Sequence, residues 1–212
     1  GEVKENLISF FYFVISLCTF TDMAGIYIHI PFCKQKCSYC DFHFSTTFHN
    51  YRAEMIESIC KEIIFRKDYL ANQVIETVYF GGGTPSLLTK DEFEQVLNSI
   101  KTAFSLSDEI EFTVEANPDD INKNNLKDWK QIGVNRLSIG LQSFREEDLR
   151  WMNRAHNSSE ALNCVLLAQE EGFNNLSVDL IYGLPNLSTQ DWKKNIQPVS
   201  YTHLRAHETD SY

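Results

Sequence analysis

Short apolar segments alternate with amphipathic segments through the middle of this chain, and this alternation limits the folds open to it. Segments rich in β-branched and aromatic residues predict strands at 26–30, 74–80, 109–115, 134–139 and 176–181. Helical periodicity and helix-end residues predict helices at 50–69, 89–104, 122–131, 146–152, 158–171 and 189–197. Strands that alternate with helices at this spacing form βα units with right-handed crossovers. We therefore predict an α/β fold with one parallel sheet, whose mostly apolar strands are covered on both faces.

The composition indicates a globular protein and argues against nucleic-acid binding. The 212 residues suffice for one large domain or two small ones, and 43% of them are hydrophobic. The formal net charge is −10, and the lysines and arginines are scattered among acidic residues and form no basic patch. Six cysteines in a chain of this length do not suit a disulfide framework. We expect a cytoplasmic protein with no nucleic-acid partner.

The two ends of the chain differ from the middle. Residues 7–20 form an apolar run that is shorter than a membrane span, so we expect no integral membrane segment. The residues before this run include two glutamates and one lysine, so they lack the net positive charge that opens a signal peptide. Met23 directly precedes the first predicted strand. The expected divisions are a non-native upstream extension over 1–22, a core domain over 23–197 and a non-native tail over 198–212.

Residues with chemical capability follow the predicted strands. The carboxyl ends of parallel strands meet at one edge of a sheet, and ligand sites of α/β folds collect there. Glycines would let a ligand approach the backbone, and carboxylates would accept hydrogen bonds from hydroxyl or ammonium groups. Each residue alone is equally well explained as a tight turn, a helix cap or a surface ion pair. The residues in these positions are Gly81, Gly82, Gly83, Glu115, Gln142, Arg154 and Asp179.

Half of the cysteines lie close together, directly after the first predicted strand. Cys33, Cys37 and Cys40 have the spacing C-x3-C-x2-C. Three soft thiolates suit a four-iron cluster in which one iron is left open to a ligand that is not protein. A zinc site with His43 as a fourth ligand, or a group of reactive thiols, are alternatives that the spacing leaves open.

Ordered motifs at the strand ends carry a resemblance to a known family. The motifs are Tyr27-Ile28-His29-Ile30-Pro31-Phe32-Cys33, Cys37-Ser38-Tyr39-Cys40-Asp41-Phe42, Gly81-Gly82-Gly83-Thr84-Pro85-Ser86, Glu115-Ala116-Asn117-Pro118, Gly140-Leu141-Gln142-Ser143-Phe144, Arg154-Ala155-His156 and Asp179-Leu180-Ile181-Tyr182-Gly183-Leu184-Pro185. Over about residues 23–197 the chain resembles the radical S-adenosylmethionine (SAM) enzymes. More narrowly, it resembles the oxygen-independent coproporphyrinogen III oxidase-like group.

The resemblance implies a fold, cofactors and ligands. The fold would be a partial (βα)6 TIM-like barrel of the radical SAM type, truncated here after about five βα units and without the family's C-terminal domain. Cys33, Cys37 and Cys40 would bind a [4Fe-4S] cluster, whose fourth iron would be chelated by SAM. One electron from the cluster would then cleave SAM to methionine and a 5′-deoxyadenosyl radical. Residues implied to line a first SAM are Tyr27, Gly82 and Glu115. Residues at positions that hold a second SAM in the oxidase are Tyr39, Gly83, Thr84, Gln142, Arg154 and Asp179.

The residue two positions after the third cysteine separates two branches of this group. The oxidase has a further cysteine there, whereas this chain has Phe42, which matches the HemW branch of haem chaperones. That branch is thought to bind haem and deliver it to haemoproteins. We therefore predict a haem chaperone, with coproporphyrinogen III oxidase as the alternative. The partners implied are haem or porphyrin, a haemoprotein acceptor and an electron donor, and no residue of this chain is assigned as a haem ligand.

Overall fold

The structure, a computed structural model, describes residues 15–20, 23–200 and 205–208. The strands are β1 Ile15–Phe20, β2 Met23–Ile30, β3 Ile75–Gly82, β4 Leu106–Ala116, β5 Arg136–Gln142, β6 Asn175–Leu180 and β7 Arg205–Glu208. The helices are α1 Arg52–Phe65, α2 Lys90–Ala103, α3 Lys123–Gln131, α4 Glu146–Trp151, α5 Ser158–Glu170 and α6 Thr189–Ser200. Most of the predicted extension and tail lies outside the described residues, at 1–14, 21–22, 201–204 and 209–212. The division of the chain into core, extension and tail therefore stays a prediction.

All the strands belong to one sheet, in which they follow chain order from β1 to β7. The strands from β2 to β7 pair in parallel, and β1 pairs antiparallel with β2. Strands β2 to β6 are the five predicted ones, and they confirm the α/β fold of the partial-barrel type. The edge strands β1 and β7 were missed, because an apolar run and the polar segment Arg-Ala-His-Glu lack the alternation that predicts a strand.

Several element ends differ from those predicted. Helix α1 ends at Phe65, and the chain then turns through Ala71 and Asn72, both of which have positive φ angles. Strand β4 begins early, because Leu106 pairs with Ile75 at the start of β3. Helix α6 runs past its predicted end to residue 200. Within the described part of the chain, no helix has the length and apolar character needed to cross a membrane.

The two faces of the sheet differ in polarity. One face is apolar and forms the main core; its buried side chains include Ile26, Ile28, Ile30, Val78, Phe80, Phe112, Val114, Leu137, Ile139, Leu176 and Val178. The intervening positions carry polar side chains, which are Tyr27, Tyr79, Thr113, Glu115, Ser138, Ser177 and Asp179. The prediction of mostly apolar strands is therefore wrong for this second face, although Thr113, Ser138 and Ser177 on it are buried, as expected for a covered face. It borders a cavity at the carboxyl ends of the strands, and polar side chains there can meet a ligand.

Below that cavity, the polar face satisfies its own hydrogen bonds. The guanidinium of Arg136 donates to Thr113 Oγ1 at 3.2 Å and to Ser177 Oγ at 3.0 Å. Ser177 Oγ in turn donates to Ser138 Oγ at 3.1 Å. These bonds join β4, β5 and β6 across the sheet, so the floor of the cavity is fixed by side chains as well as by the strand ladder.

The apolar face supplies a test of the core. Phe80 is 0% exposed and its ring centroid lies 5.1 Å from Phe93 and 5.5 Å from Phe112. Phe80→Ala should lower the free energy of unfolding by about 3–5 kcal/mol, because the cavity left behind adds to the lost burial. Phe65→Ala is the control, since Phe65 is 88% exposed and its loss should cost about 0.5 kcal/mol or less. Urea unfolding measures both values, and equal losses would contradict this account of the core.

Candidate functional site

A cavity of about 540 Å³ lies at the carboxyl ends of the parallel strands. Its size is within the roughly 300–1,000 Å³ typical of ligand sites. All of the predicted site residues except Tyr27 and Gly81 line it, namely Cys33, Cys37, Tyr39, Cys40, Gly82, Gly83, Thr84, Glu115, Gln142, Arg154 and Asp179. Tyr27 lies beside it: its ring stacks on Tyr79 at a centroid distance of 5.7 Å. The fold therefore brings residues from every predicted motif to one place.

The loop that carries the cysteines is closed at its base. Cys33 N donates to Ser45 O at 3.0 Å, and Ser45 N donates to Pro31 O at 2.8 Å. Phe32, just before the first cysteine, is fully buried and stacks on Phe48 at a centroid distance of 4.6 Å. The loop therefore begins and ends on the body of the protein.

The turn after α4 holds the middle of the cysteine loop. Ser38 donates through its backbone N–H to Met152 O at 3.1 Å and through its hydroxyl to Trp151 O at 2.9 Å. Asn153 Nδ2 donates to the carbonyl of Lys36 at 2.8 Å, and its own carbonyl accepts from Gln35 at 2.6 Å. Asn153 has a φ of 56°, a conformation that asparagine tolerates better than most residues. This turn thus fixes the segment between the first two cysteines.

An acidic pair after β4 anchors the other side of the loop. Lys34 donates to Asp119 Oδ2 at 2.8 Å and also contacts Asp120 Oδ1. Asp120 is buried and accepts a second hydrogen bond from Ser86 Oγ at 2.7 Å. Although burial opposes its charge, hydrogen bonds to the two carboxylates raise the pKa of Lys34. Sequence reasoning missed this ion pair, because its partners are far apart in the chain.

Glu115 is the buried carboxylate of the site. Its oxygens accept hydrogen bonds from the Tyr79 hydroxyl at 2.8 Å and from Gly82 N at 3.0 Å. Burial raises the pKa of Glu115, with a further contribution from Asp179. Burial and the charge of Glu115 likewise raise the pKa of Tyr27, so its hydroxyl keeps its proton. An acidic group with these partners can accept hydrogen bonds from a bound ligand.

The glycine turn after β3 leaves no space for a side chain. A Cβ on Gly82 would lie 2.4 Å from His29 Nδ1, and Gly82 has a φ of +110°. A Cβ on Gly83 would lie 2.7 Å from Phe32 O and 2.9 Å from Ile30 O. Gly83 N also donates to Ile30 O at 2.8 Å, which ties the turn to the end of β2. The close approach at these glycines is therefore made by the protein itself, by the His29 side chain at Gly82 and by the backbone of Ile30 and Phe32 at Gly83.

The end of β5 carries an irregularity that shapes the cavity wall. The pairing with β6 shifts register between Gly140 and Gln142, and Gln142 has a φ of 67°. The carbonyl of Gln142 accepts from Ile181 N at 2.9 Å, which keeps the two strand ends together. Asp179 pairs with Gly140 in the ladder and lines the cavity with Gln142.

The histidines of the motifs have structural partners. His29 Nε2 lies 3.0 Å from His43 O, and His156 Nε2 lies 3.0 Å from Leu141 O. Burial, with a contribution from Arg154, lowers the pKa of His156 to about 4. His156 is therefore neutral near pH 7 and donates to the Leu141 carbonyl. Neither histidine is among the residues that line the cavity.

The three thiols suit a cluster better than a single ion. In the described residues, no three side chains of histidine, cysteine, aspartate or glutamate are grouped so that they could hold one metal ion. The thiols instead occupy one wall of the cavity together, where each could bind a different iron of a cluster. Their softness fits iron–sulfur chemistry, and the remaining cavity offers polar groups to a second ligand beside it.

Comparisons with known proteins identify the superfamily of this chain. The family model for the Radical SAM superfamily matches residues 27–197, and the chain belongs to that superfamily. Among curated relatives, the heme chaperone HemW of Escherichia coli is 35% identical over 79% of this chain and 44% of its own length. That of Bacillus subtilis is 35% identical, covering 82% of this chain and 46% of the relative. The chain thus spans less than half the length of these relatives.

Solved structures give the same fold. The coproporphyrinogen III oxidase HemN of Escherichia coli, described as a radical SAM enzyme, superposes with a TM-score of 0.79 at 28% identity. The match covers 88% of this chain and 43% of that one. Methylornithine synthase PylB superposes with a TM-score of 0.57 at 14% identity over 89% of this chain and 55% of its own, which supports the fold alone.

The glycine turn supplies a test of the site. Gly83→Ala should reduce the iron and sulfide bound after anaerobic reconstitution, because its Cβ would push on the backbone that leads to Cys33. Overpacking of this kind costs about 1–3 kcal/mol. Gly133→Ala is the control: its φ is +100°, yet nothing lies within 4 Å of the added Cβ. Similar losses of iron in both variants would show that backbone strain, rather than the contact with the cysteine loop, is responsible.

Proposed function

We propose that this protein is a haem chaperone of the radical SAM superfamily, which binds a [4Fe-4S] cluster and SAM and delivers haem to haemoproteins. The observation that carries the proposal is the shared cavity, where three loop cysteines meet a buried carboxylate and the glycine turn. Membership of the superfamily supports the two cofactors. The haem-related part rests on the curated relatives, which are described as heme chaperones.

In this proposal the cysteine loop is the cluster ligand. Cys33, Cys37 and Cys40 would each bind one iron, and the amino and carboxylate groups of SAM would take the open one. When bound, such a cluster would supply the electron for reductive cleavage of the sulfonium of SAM. The chain's own part is positional, since the two anchors of the loop hold the thiols on one wall before any cofactor arrives.

The strand ends would hold SAM. Glu115 is oriented by Tyr79 and Gly82, so its oxygens are fixed in place for a ligand donor. Tyr27 and Gly82 complete the group assigned to the first SAM. The residues assigned to a second SAM are Tyr39, Gly83, Thr84, Gln142, Arg154 and Asp179, all of which line the same cavity.

Phe42 favours the chaperone over the oxidase. It follows Cys40 by two positions, lines the cavity and is 71% exposed. A cysteine at this position would add a fourth thiol to the loop, whereas a phenylalanine adds an apolar ring at the wall. An exposed aromatic ring beside the cavity suits contact with a flat macrocycle such as haem or porphyrin.

Coproporphyrinogen III oxidase is the second candidate. The likeness to the solved oxidase favours it, since the TM-score is 0.79 at 28% identity. The two candidates share the cluster, SAM and a tetrapyrrole, and they differ in whether the tetrapyrrole is bound or changed. Their acceptor and electron donor are protein partners outside this chain.

We place this function in the cytoplasm. Cys33, Cys37, Cys40, Cys60 and Cys164 are free thiols, as expected in a reducing compartment. The net charge of −10 also gives no reason to expect a nucleic-acid partner.

The test begins with the cluster. After anaerobic reconstitution, the chain should contain bound iron and sulfide and show a brown absorbance. The Cys33/Cys37/Cys40→Ala variant should lack the bound iron and sulfide and the brown absorbance. Cys60→Ala is the matched control, because Cys60 lies in α1 outside the cavity and its thiol contacts Gln95 O at 3.7 Å. Iron and sulfide retained in the triple variant would refute the ligand assignment.

The same preparation then separates the two candidates. Haem titration followed by absorbance should show saturable binding, and incubation with coproporphyrinogen III, SAM and a low-potential reductant should give no product. Turnover of coproporphyrinogen without stable haem binding would reject the chaperone and support the oxidase.

A further inference from the structure

Each cysteine of the loop has a different hydrogen-bond donor at its sulfur. The Thr84 hydroxyl donates to Cys33 Sγ at 3.5 Å, and Arg154 Nη1 donates to Cys37 Sγ at 3.4 Å. The backbone of Phe42 supplies the bond to Cys40. The three donors are thus a neutral hydroxyl, a full positive charge and a peptide N–H, which act on sulfur with unequal strength.

Arg154 is held rigidly where it meets Cys37. Its Nη2 donates to Asn117 Oδ1 at 2.7 Å and to the Gly140 carbonyl at 2.8 Å. Its Nη1 contacts the Tyr39 hydroxyl at 3.4 Å as well as the thiol. Burial alone would lower the pKa of Arg154, but Tyr39 and Cys37 raise it, so the guanidinium stays charged.

This arrangement leaves Arg154 little capacity to clamp a carboxylate. A guanidinium has a pair of N–H groups on each of Nη1 and Nη2 and a single one on Nε. Both pairs are directed at protein atoms, and only the buried Nε–H has no partner among the described residues. A bidentate grip on a ligand needs two adjacent N–H groups, so it would require Arg154 to give up bonds that it already makes.

A charged donor at a cluster sulfur has an electrostatic consequence. Reduction adds one electron, and hence one negative charge, to the cluster and its thiolates. A fixed positive charge in a buried site stabilises the added charge, and hydrogen bonds to the sulfurs raise the reduction potential. Asp119 and Asp120 are both paired with Lys34, so their charges offset that of Arg154 less, whereas Asp41, next to Cys40, opposes reduction from the other end of the loop.

We propose that Arg154, assisted by Thr84, raises the reduction potential of the cluster by donating to its thiolates, a role additional to its assigned place beside the second SAM. This inference rests on the proposed cluster at Cys33, Cys37 and Cys40. The electron comes from an external low-potential one-electron donor, which is dithionite in the experiment below. No proton or bond change accompanies the step.

The experiment measures the midpoint potential of the reconstituted chain without SAM, by anaerobic titration followed by electron paramagnetic resonance of the reduced cluster. Arg154→Gln removes the charge and should shift the reduction equilibrium at least about tenfold toward the oxidised form, or about 59 mV for one electron. Arg154→Lys keeps the positive charge but loses the paired N–H groups of the guanidinium, and Thr84→Val removes only a neutral hydroxyl donor. Both should shift the potential in the same direction by less.

Arg136→Lys is the matched control. Arg136 is also a mostly buried arginine of the polar face, bonded to Thr113 and Ser177, and it does not line the cavity. The midpoint potential of the reconstituted Arg136→Lys variant should equal that of the unchanged chain. If it shifts as much as that of Arg154→Lys, the effect comes from general loosening of the sheet and the inference fails.

Other outcomes separate this inference from the proposed function. An unchanged potential in cluster-loaded Arg154 variants, with weaker SAM binding, would overturn the inference and leave Arg154 as a SAM ligand only. If both Arg154 variants lose the cluster, the midpoint potential of the Thr84→Val variant becomes the test. An unchanged potential in that variant would overturn the inference. Failure of the unchanged chain to bind iron and sulfide would instead reject the proposed function.

Discussion

Parallel strand direction is the constraint on which the rest of this structure depends. The strands from β2 to β6 all run the same way, so their carboxyl ends meet at one edge and every motif of the sequence arrives there. One face of the sheet is apolar and forms the main core, which leaves the other face free to carry Tyr79, Glu115 and Asp179. The apolar core holds the sheet in place from one side. The other face can therefore carry polar side chains that border the cavity.

The cysteine loop is as firmly held as the sheet. It is closed by Ser45, fixed by the turn that contains Asn153 and anchored through Lys34 to the acidic pair after β4. These contacts come from three different elements and hold the segment that carries the thiols. Contacts that fix a loop reduce the conformational freedom that it would lose when a ligand binds.

The position of Phe42 is where the two candidate functions would differ. A fourth thiol is expected there in the oxidase, whereas this chain places an exposed aromatic ring at the cavity wall. Arg154 lies on the same wall, and its N–H groups point at Cys37, Tyr39, Asn117 and Gly140. With the proposed cluster in place, residues of this wall would influence both the ligand that binds and the reduction of the cluster.

The sequence by itself determined the α/β class, the five central strands and the residues that lie at the strand ends, because each depends on local pattern or spacing. It did not determine the partners of Arg154, the Lys34 ion pair or the support of Glu115 by Tyr79, since these residues lie far apart in the chain. The edge strands β1 and β7 were missed for a similar reason: they pair through backbone groups, which no side-chain pattern reveals. Only the tertiary structure decided which polar atoms face the cysteines, because hydrogen bonding depends on distances across the sheet.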